Sequence, residues 1–439
     1  MRVVALADSD SYLKWIASLT AALPADWERE LVIVRTPAMP SAAQRDAALA
    51  GSGMDAAAVA RLPLDAVRQR LETIRPDLVL VGTRGPVARV LIDLVARLSP
   101  RPVIVSGLPG ISVPATSKAL IFRRQADLFV VHSAREVREF TALARARGWD
   151  HRFALATLPF IESPEHAPAG GTDLVFAAQA VVPSARDDRL RIARLLRDAA
   201  LAEPGRRVVV KVRAIKGERQ THDERDGHSY TELLGELGHP LANLEISSAP
   251  MSQALDTAEG LVTVSSTAAI EAIARRVPVI ALDMFGVSDH LINPVFLGSG
   301  VFAGEAAVIA REFRTPAPEW FADNYFHPAT ANDLVDQVLH LVDARRAGSL
   351  PERTAETRPG GRLRMAWDRR RAFGSEDRTV SGLAALAIGI PARAVVIAMQ
   401  RMRRRLERGR HGVDGSRGEL PITAEAAPAR SRGRVPAGR

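Results

Sequence analysis

The run TVSSTAAIEAIARRVPVIAL, residues 263–282, sets three hydroxyl side chains, Ser265, Ser266 and Thr267, between an apolar strand-like segment and an Ala-rich helix pattern. Where a helix starts, backbone N–H groups are unpaired and the dipole is positive. Hydroxyls placed there add donors to an anion site of the kind that suits a diphosphate. Plain N-capping uses the same residue types; one hydroxyl satisfies a cap, and three in a row lean towards a ligand. Glu271 follows Thr267 by about one turn on the same face, where a carboxylate can accept from ribose hydroxyls or simply face solvent. Gln179, which ends the run DLVFAAQ, joins Glu271 as a candidate for ribose or base.

Other chemistry-bearing residues fall at comparable places. Only four of the 59 cations are Lys, and one of them, Lys211, directly follows RRVVV. A compact point charge beside a phosphate is one reading, with Arg213 two residues on as a helper; an accident of composition is the other. The stretch DMFGVS, Asp283 to Ser288, follows the strand-like run 277–282, and Gly286 would let backbone approach a ligand closely or serve an ordinary loop. Near the start, DSDSYLK leaves the first apolar run with Asp8 and Asp10, candidates for a base that takes a proton from a hydroxyl. Asp10 or Ser11 could equally cap a helix. His132, after LFVV, is a further base candidate, although a lone His is more often structural. GLPGIS, residues 107–112, predicts a flexible loop on that side.

The elements that must position these residues alternate. Strand-like runs at 2–7, 31–35, 76–83, 102–107 and 127–133 are interleaved with helical patterns over 12–23, 62–74, 87–98 and AREVREFTALARARG. After the Pro- and Gly-rich ESPEHAPAGG, residues 162–171, the alternation restarts with runs at 173–179, 206–213, 243–247, 260–264 and 277–282. A long amphipathic helix over 331–346 closes it. Continuous apolar strands separated by amphipathic helices mean parallel sheets covered on both faces. Two such series predict two Rossmann-like, doubly wound domains facing a cleft, 1–162 and 172–346, with ligands at the carboxyl ends of the strands.

Composition narrows the classes. The chain has 439 residues and no Cys, so disulfide frameworks, thiolate metal sites and Cys nucleophiles are excluded. The net charge of +9 is concentrated at the end, where residues 401–439 carry 11 Arg against 4 Asp and Glu. The body is nearly neutral, which argues against a specific nucleic-acid partner. The opening MRVVALADSD has too short an apolar run for a signal peptide, so a cytoplasmic location is expected. Residues 347–378, rich in Arg, Glu and Pro, read as poorly ordered, the start of a tail running to 439. The apolar 379–400 is interrupted by Pro391 and too short for a span. With the polybasic RMRRRLERGR behind it, the stretch 379–410 fits an anionic membrane surface, at the inner face of the cell membrane, or a helix packed on the body.

SSTAAIEAIARRVPVIAL resembles the donor-binding segment of GT-B-type glycosyltransferases. RRVVVKVR is similar to the strand carrying a phosphate-facing Lys in capsule-polysaccharide and polysialic-acid transferases. AAQAVVPSARDDRLRIARLL resembles the opening loop and helix of their C-terminal domains, and ADLFVVHSAREVREF the last unit of their N-terminal domains. Most closely, SSTAAIEAIARRVPVIALDMFGVSDHLINPVFLGSG with GLPGISVPAT resembles uncharacterised bacterial proteins described as glycosyltransferases, over about residues 1–345. The resemblance implies a nucleotide-sugar donor on the second domain and a glycan or lipid-linked acceptor on the first. It implies transfer in cell-surface polysaccharide or glycoconjugate synthesis, with no cofactor beyond the nucleotide-sugar co-substrate and no metal. DSD also matches a metal-binding Asp-x-Asp pattern, but of a different glycosyltransferase fold. The sequence departs from the relatives in two places. The His-Pro after the Lys strand is missing, with His222 only downstream, and Ser-Ser replaces the Gly-Gly turn of nucleotide-sugar 2-epimerases. An epimerase of the same fold and a non-catalytic GT-B-like binding protein are the competing readings.

Overall fold

The computed structural model describes residues 1–159, 161, 170–212, 228–353, 360–389 and 399. The first sheet contains β1 (Arg2–Ala7), β2 (Glu28–Val34), β3 (Ala60–Leu62), β4 (Leu78–Gly82), β5 (Val103–Gly107), β6 (Leu128–Val131) and β7 (Phe153–Leu155). All pairs are parallel, in the order β3-β2-β1-β4-β5-β6-β7. The second contains β8 (Asp173–Ala177), β9 (Val208–Lys211), β10 (Leu244–Ser247), β11 (Ala258–Thr263), β12 (Val279–Leu282) and β13 (Phe302–Ala303). Its order is β10-β9-β8-β11-β12-β13, again parallel. Both sheets reverse strand order beside their first strand, between β1 and β4 and between β8 and β11. Such crossover points open a crevice at the carboxyl edge. This is the expected GT-B architecture.

The central strands are buried on both faces, as their uninterrupted Val, Leu and Ile require. The short edge strands β3, β7 and β13 have no comparable apolar run, which is why the sequence pattern does not show them. On one face of the first sheet the helix Asp10–Ala21 packs Leu13, Trp15, Ile16 and Leu19 into the core.

The helix expected to close the second series does something else. Leu334–Arg346 buries Leu334, Val338, Leu341 and Val342 in the core of the first sheet. Asp333 ahead of it exchanges hydrogen bonds with the edge of β7, accepting from Leu155 N at 2.7 Å and donating to Leu155 O at 3.2 Å. Amphipathic spacing sets which face of a helix is buried, not which sheet it reaches.

The Arg-rich stretch after 346 departs from its expectation too. Gly361–Phe373 is helical, and Ala372 and Phe373 pack into the opposite face of the first sheet beside the helix Gly85–Ala96. Its many Arg residues mask a short apolar anchor, and ion pairs such as Arg369–Asp377 and Arg35–Glu376 hold its end. Residues 380–389 are also helical. The polybasic 401–410, most of the linker 162–171, Arg213 and His222 lie outside the described residues. Met1–Leu383 form one compact unit and Ala384–Arg439 another.

Candidate functional site

At the carboxyl edge of the second sheet the crossover lies between β8 and β11, and the hydroxyl turn leaves it directly. Thr263 Oγ1 donates to Ala177 O at 3.1 Å, and Ala177 stands in register with Lys211. The ends of β11, β8 and β9 are therefore level. Gln179 and Ser265 bridge the crossover: Ser265 N donates to Gln179 Oε1 at 3.0 Å and Gln179 Nε2 to Ser265 Oγ at 3.2 Å. Ser265 is buried, so this pair shapes the turn. Ser266 and Thr267 are partly exposed. Ser266 Oγ accepts from Ala268 N at 3.2 Å in a local turn, while Thr267, the N-cap itself, makes no side-chain capping bond. The helix that follows, Ala268–Ala274, is short, so side chains and turn amides rather than a long dipole define the electrostatics here.

Lys211 is buried, and its ammonium bonds Val212 O. Glu271 is nearly buried, with Arg275 at 3.9 Å. The loop Asp283–Ser288 emerges beside the hydroxyl turn, because β12 neighbours β11. Asn293 holds its shape, donating to Gly286 O at 3.0 Å and accepting from Ser288 N at 3.0 Å. Asp283 and Ser288 are exposed.

The first sheet turns its own carboxyl edge to this one. The loop after β5 brings Gly110 against Thr267 so closely that a Cβ on residue 110 would lie 2.8 Å from Thr267 Oγ1. The loop is anchored rather than free. Ser112 N donates to Glu136 at 2.8 Å, and Val113 packs inside the core of the second sheet. Glu136 also accepts from His132 N at 2.8 Å and from Tyr325 OH at 2.7 Å, tying three segments to one buried carboxyl group. Burial pushes that carboxyl up to about 7 in spite of its three donors.

The three base candidates are placed differently. His132 is buried; Trp15 Nε1 donates to its Nε2 at 2.7 Å, and its Nδ1 lies 2.7 Å from Ala156 O. An indole N–H only donates, so Trp15 fills the Nε2 lone pair and the proton sits on Nδ1, towards the Ala156 carbonyl, while Leu108 O lies 3.1 Å from Nε2. Burial lowers the imidazole to about 4. Neither nitrogen is available to take a substrate proton, and His132 organises the loop base instead. Asp8 is fully buried beside Arg84, which donates from Nε at 2.8 Å and from its backbone N at 3.0 Å. Burial raises the Asp8 carboxyl while Arg84 opposes the rise. Asp10 is partly exposed in the first turn of its helix, where Ser11 donates to it at 3.4 Å.

Residues 3–341 match the family described as "Putative glycosyltransferase (DUF6716)". The chain belongs to this family. No curated protein shows significant similarity to it. Among solved structures it is similar to S. aureus MnaA in complex with UDP, at 12% identity and TM-score 0.53, over 81% of this chain and 100% of that one. It is similar also to the UDP-GlcNAc 2-epimerase of Methanocaldococcus jannaschii, at 11% identity and TM-score 0.50, over 77% and 99%. At such identities the likeness is one of fold, and the family match carries the glycosyltransferase description.

Within this member of the family, several site-forming residues escape sequence reasoning. Arg84, Arg123, Glu136 and Arg189 are charged side chains that the fold buries or half-buries. Arg189 donates to Gln179 O at 2.8 Å and to His228 O at 2.6 Å, so it props the loop that carries Gln179. Its position in the 3.6-residue pattern, in line with Ile192, Ala193 and Leu196, was the available signal.

Proposed function

We propose that the protein transfers a glycosyl group from a nucleotide-activated sugar to an acceptor hydroxyl, in the synthesis of a cell-surface glycan. The donor diphosphate would sit at the turn Ser265–Thr267, with Ser266, Thr267 and Lys211 facing the charge that develops as the nucleotide leaves. Fixed donors stabilise such charge without reorganising. Gln179 and Glu271 would address ribose or base, and Asp283–Ser288 would border the donor. Asp10, the partly exposed carboxylate among the three base candidates, would take the acceptor proton. The observation that carries the reading is the meeting of the two sheets' carboxyl edges at Gly110 and Thr267, in a member of a family described as glycosyltransferases. The UDP held by a structural neighbour supports the donor class.

A second reading, epimerisation of a nucleotide sugar, draws on the 2-epimerase among the neighbours. Incubation with UDP-sugars, with and without acceptor glycans, separates the two. Transfer requires acceptor and releases UDP, whereas isomer formed without acceptor means epimerase. The stretch 379–410 would bring the enzyme to an anionic membrane surface; in its described part Val380, Leu383 and Ile388 are exposed. No helix among the described residues is long and apolar enough to cross a membrane.

A further inference from the structure

The crossover of the first sheet contains an arrangement that the transferase reading leaves unused. β1 and β4 run side by side with Ala7 opposite Gly82, so Asp8–Ser9 and Thr83–Arg84 leave the sheet together. Two 12-residue helices, Asp10–Ala21 and Gly85–Ala96, begin at this point. Their positive ends converge on the crevice. Ser9 is the N-cap of the first helix, yet its hydroxyl makes no capping bond. Ser9 Oγ and Thr83 Oγ1 are both fully buried, and neither has a hydrogen-bond partner among the described residues. An unsatisfied buried hydroxyl is destabilising, so two at one crevice call for an explanation.

Two guanidinium groups stand here, beside the buried Asp8 and the partly exposed Asp10 at the helix start. Arg123 is buried and spends its donors on Ser106 Oγ at 3.0 Å, Tyr12 OH at 3.0 Å and Thr83 O at 2.8 Å, all uncharged. Arg84 uses Nε on Asp8 and Nη2 on Thr36 Oγ1 at 3.1 Å, while its Nη1 bonds nothing among the described residues. Its side chain is 27% exposed. The crevice therefore holds an accessible guanidinium edge, two unpartnered hydroxyls and two helix starts.

We infer that this crevice binds the anionic group of the acceptor, a phosphate ester. The three terminal oxygens of a phosphate monoester match an Arg edge, hydroxyl donors and helix N-termini together, and charge-assisted bonds of this kind are the strong ones. The inference deepens the transferase reading, and on that reading the acceptor is a phosphorylated glycan precursor, soluble or lipid-borne.

Thermal unfolding of the full chain with sn-glycerol 3-phosphate tests the soluble form; co-sedimentation with phosphatidylcholine vesicles containing phosphatidic acid tests the lipid-borne form. Ser9→Ala, Arg84→Lys and Ser266→Ala are compared with the wild type, and UDP binding is measured separately in each. Ser9→Ala removes a hydroxyl that bonds nothing, so the unliganded protein should melt no lower than the wild type. At least one probe should bind, and Ser9→Ala and Arg84→Lys should each weaken it by roughly tenfold, with Ser266→Ala unaffected. Loss of UDP binding throughout, with phosphate binding still sensitive to Ser9 and Arg84, would remove the donor reading and leave this site standing. Binding of neither probe overturns the inference. So does binding that ignores Ser9 and Arg84, or that disappears only in Ser266→Ala.

Discussion

Gly110 of the first domain and Thr267 of the second approach so closely that residue 110 has room for a hydrogen but not for a methyl group. The loop that carries Gly110 is held at Ser112 by Glu136 and at Val113 by the second core. The turn that carries Thr267 follows directly from β11. Gly110→Ala must therefore rotate Thr267 or move one edge against the other. The expected result is a small loss of stability, below about 1–3 kcal/mol, with a clear loss of nucleotide affinity by calorimetry. Gly107→Ala serves as the contrast. There a Cβ would meet Val130 O at 2.6 Å and the Trp15 ring at 2.8 Å, so thermal melts should show the full overpacking cost.

Glu136 and His132 have opposite pH dependences. Glu136 rises from 4.5 to about 7 in the folded chain, so its contribution is complete below 4.5 and lost as pH rises through 7. His132 falls from 6.5 to about 4, so its contribution is complete above 6.5 and lost as pH falls towards 4. Between 4.5 and 6.5 the folded chain holds the proton on Glu136 and the unfolded chain holds it on His132, so the two slopes cancel. Glu136→Gln should expose a loss of stability on acidification from 6.5 to 4, of order 3 kcal/mol relative to the wild-type profile. His132→Asn should expose a loss as pH rises from 4.5 to 7. Denaturant titrations across pH 4–8 check both, and parallel profiles for all three proteins would refute the pairing.

The helix Leu334–Arg346 belongs mechanically to the first sheet. Leu341→Ala should lower stability by about 2–5 kcal/mol, the range for a buried Leu. Hydrogen exchange should show the added opening in β1 and in the helix Asp10–Ala21 rather than in the second sheet. Opening confined to β8–β12 would contradict the packing.

Gln179 closes the crossover through Ser265. Gln179→Ala leaves the buried Ser265 N–H without its 3.0 Å acceptor, at a cost of about 1–3 kcal/mol. Nucleotide affinity should fall with it, even though Ser265 itself is turned inward. Unchanged Tm and unchanged affinity together would mean that water replaces the amide at no cost.

Much of the fold was legible because β-branched runs and amphipathic spacing report burial directly. The strands and helices that carry Asp8, Lys211 and Ser265 lie where alternation predicts them. What periodicity does not encode is destination. Leu334–Arg346 could have covered either sheet, and Gly361–Phe373 hid three buried residues among Arg side chains. At the site, the hydroxyl turn and its level with Lys211 follow from strand register. The engagement of His132 by Trp15, 117 positions away, and of Asp8 by Arg84, 76 positions away, follows from tertiary contact alone. Residue type suggested three bases, and packing made two of them, Asp8 and His132, supports.

The central claim is a nucleotide-diphosphate cradle formed by Ser266, Thr267 and Lys211 at the groove. Thermal unfolding of the full chain with UDP, and with GDP, CMP, CDP and dTDP in parallel, tests it most directly. One nucleotide class should stabilise the wild type by about 2.7 kcal/mol at roughly a hundred times its Kd, and Ser266→Ala and Lys211→Ala should each reduce that shift. Stabilisation by none of them, or an equal shift in both variants, would contradict the account.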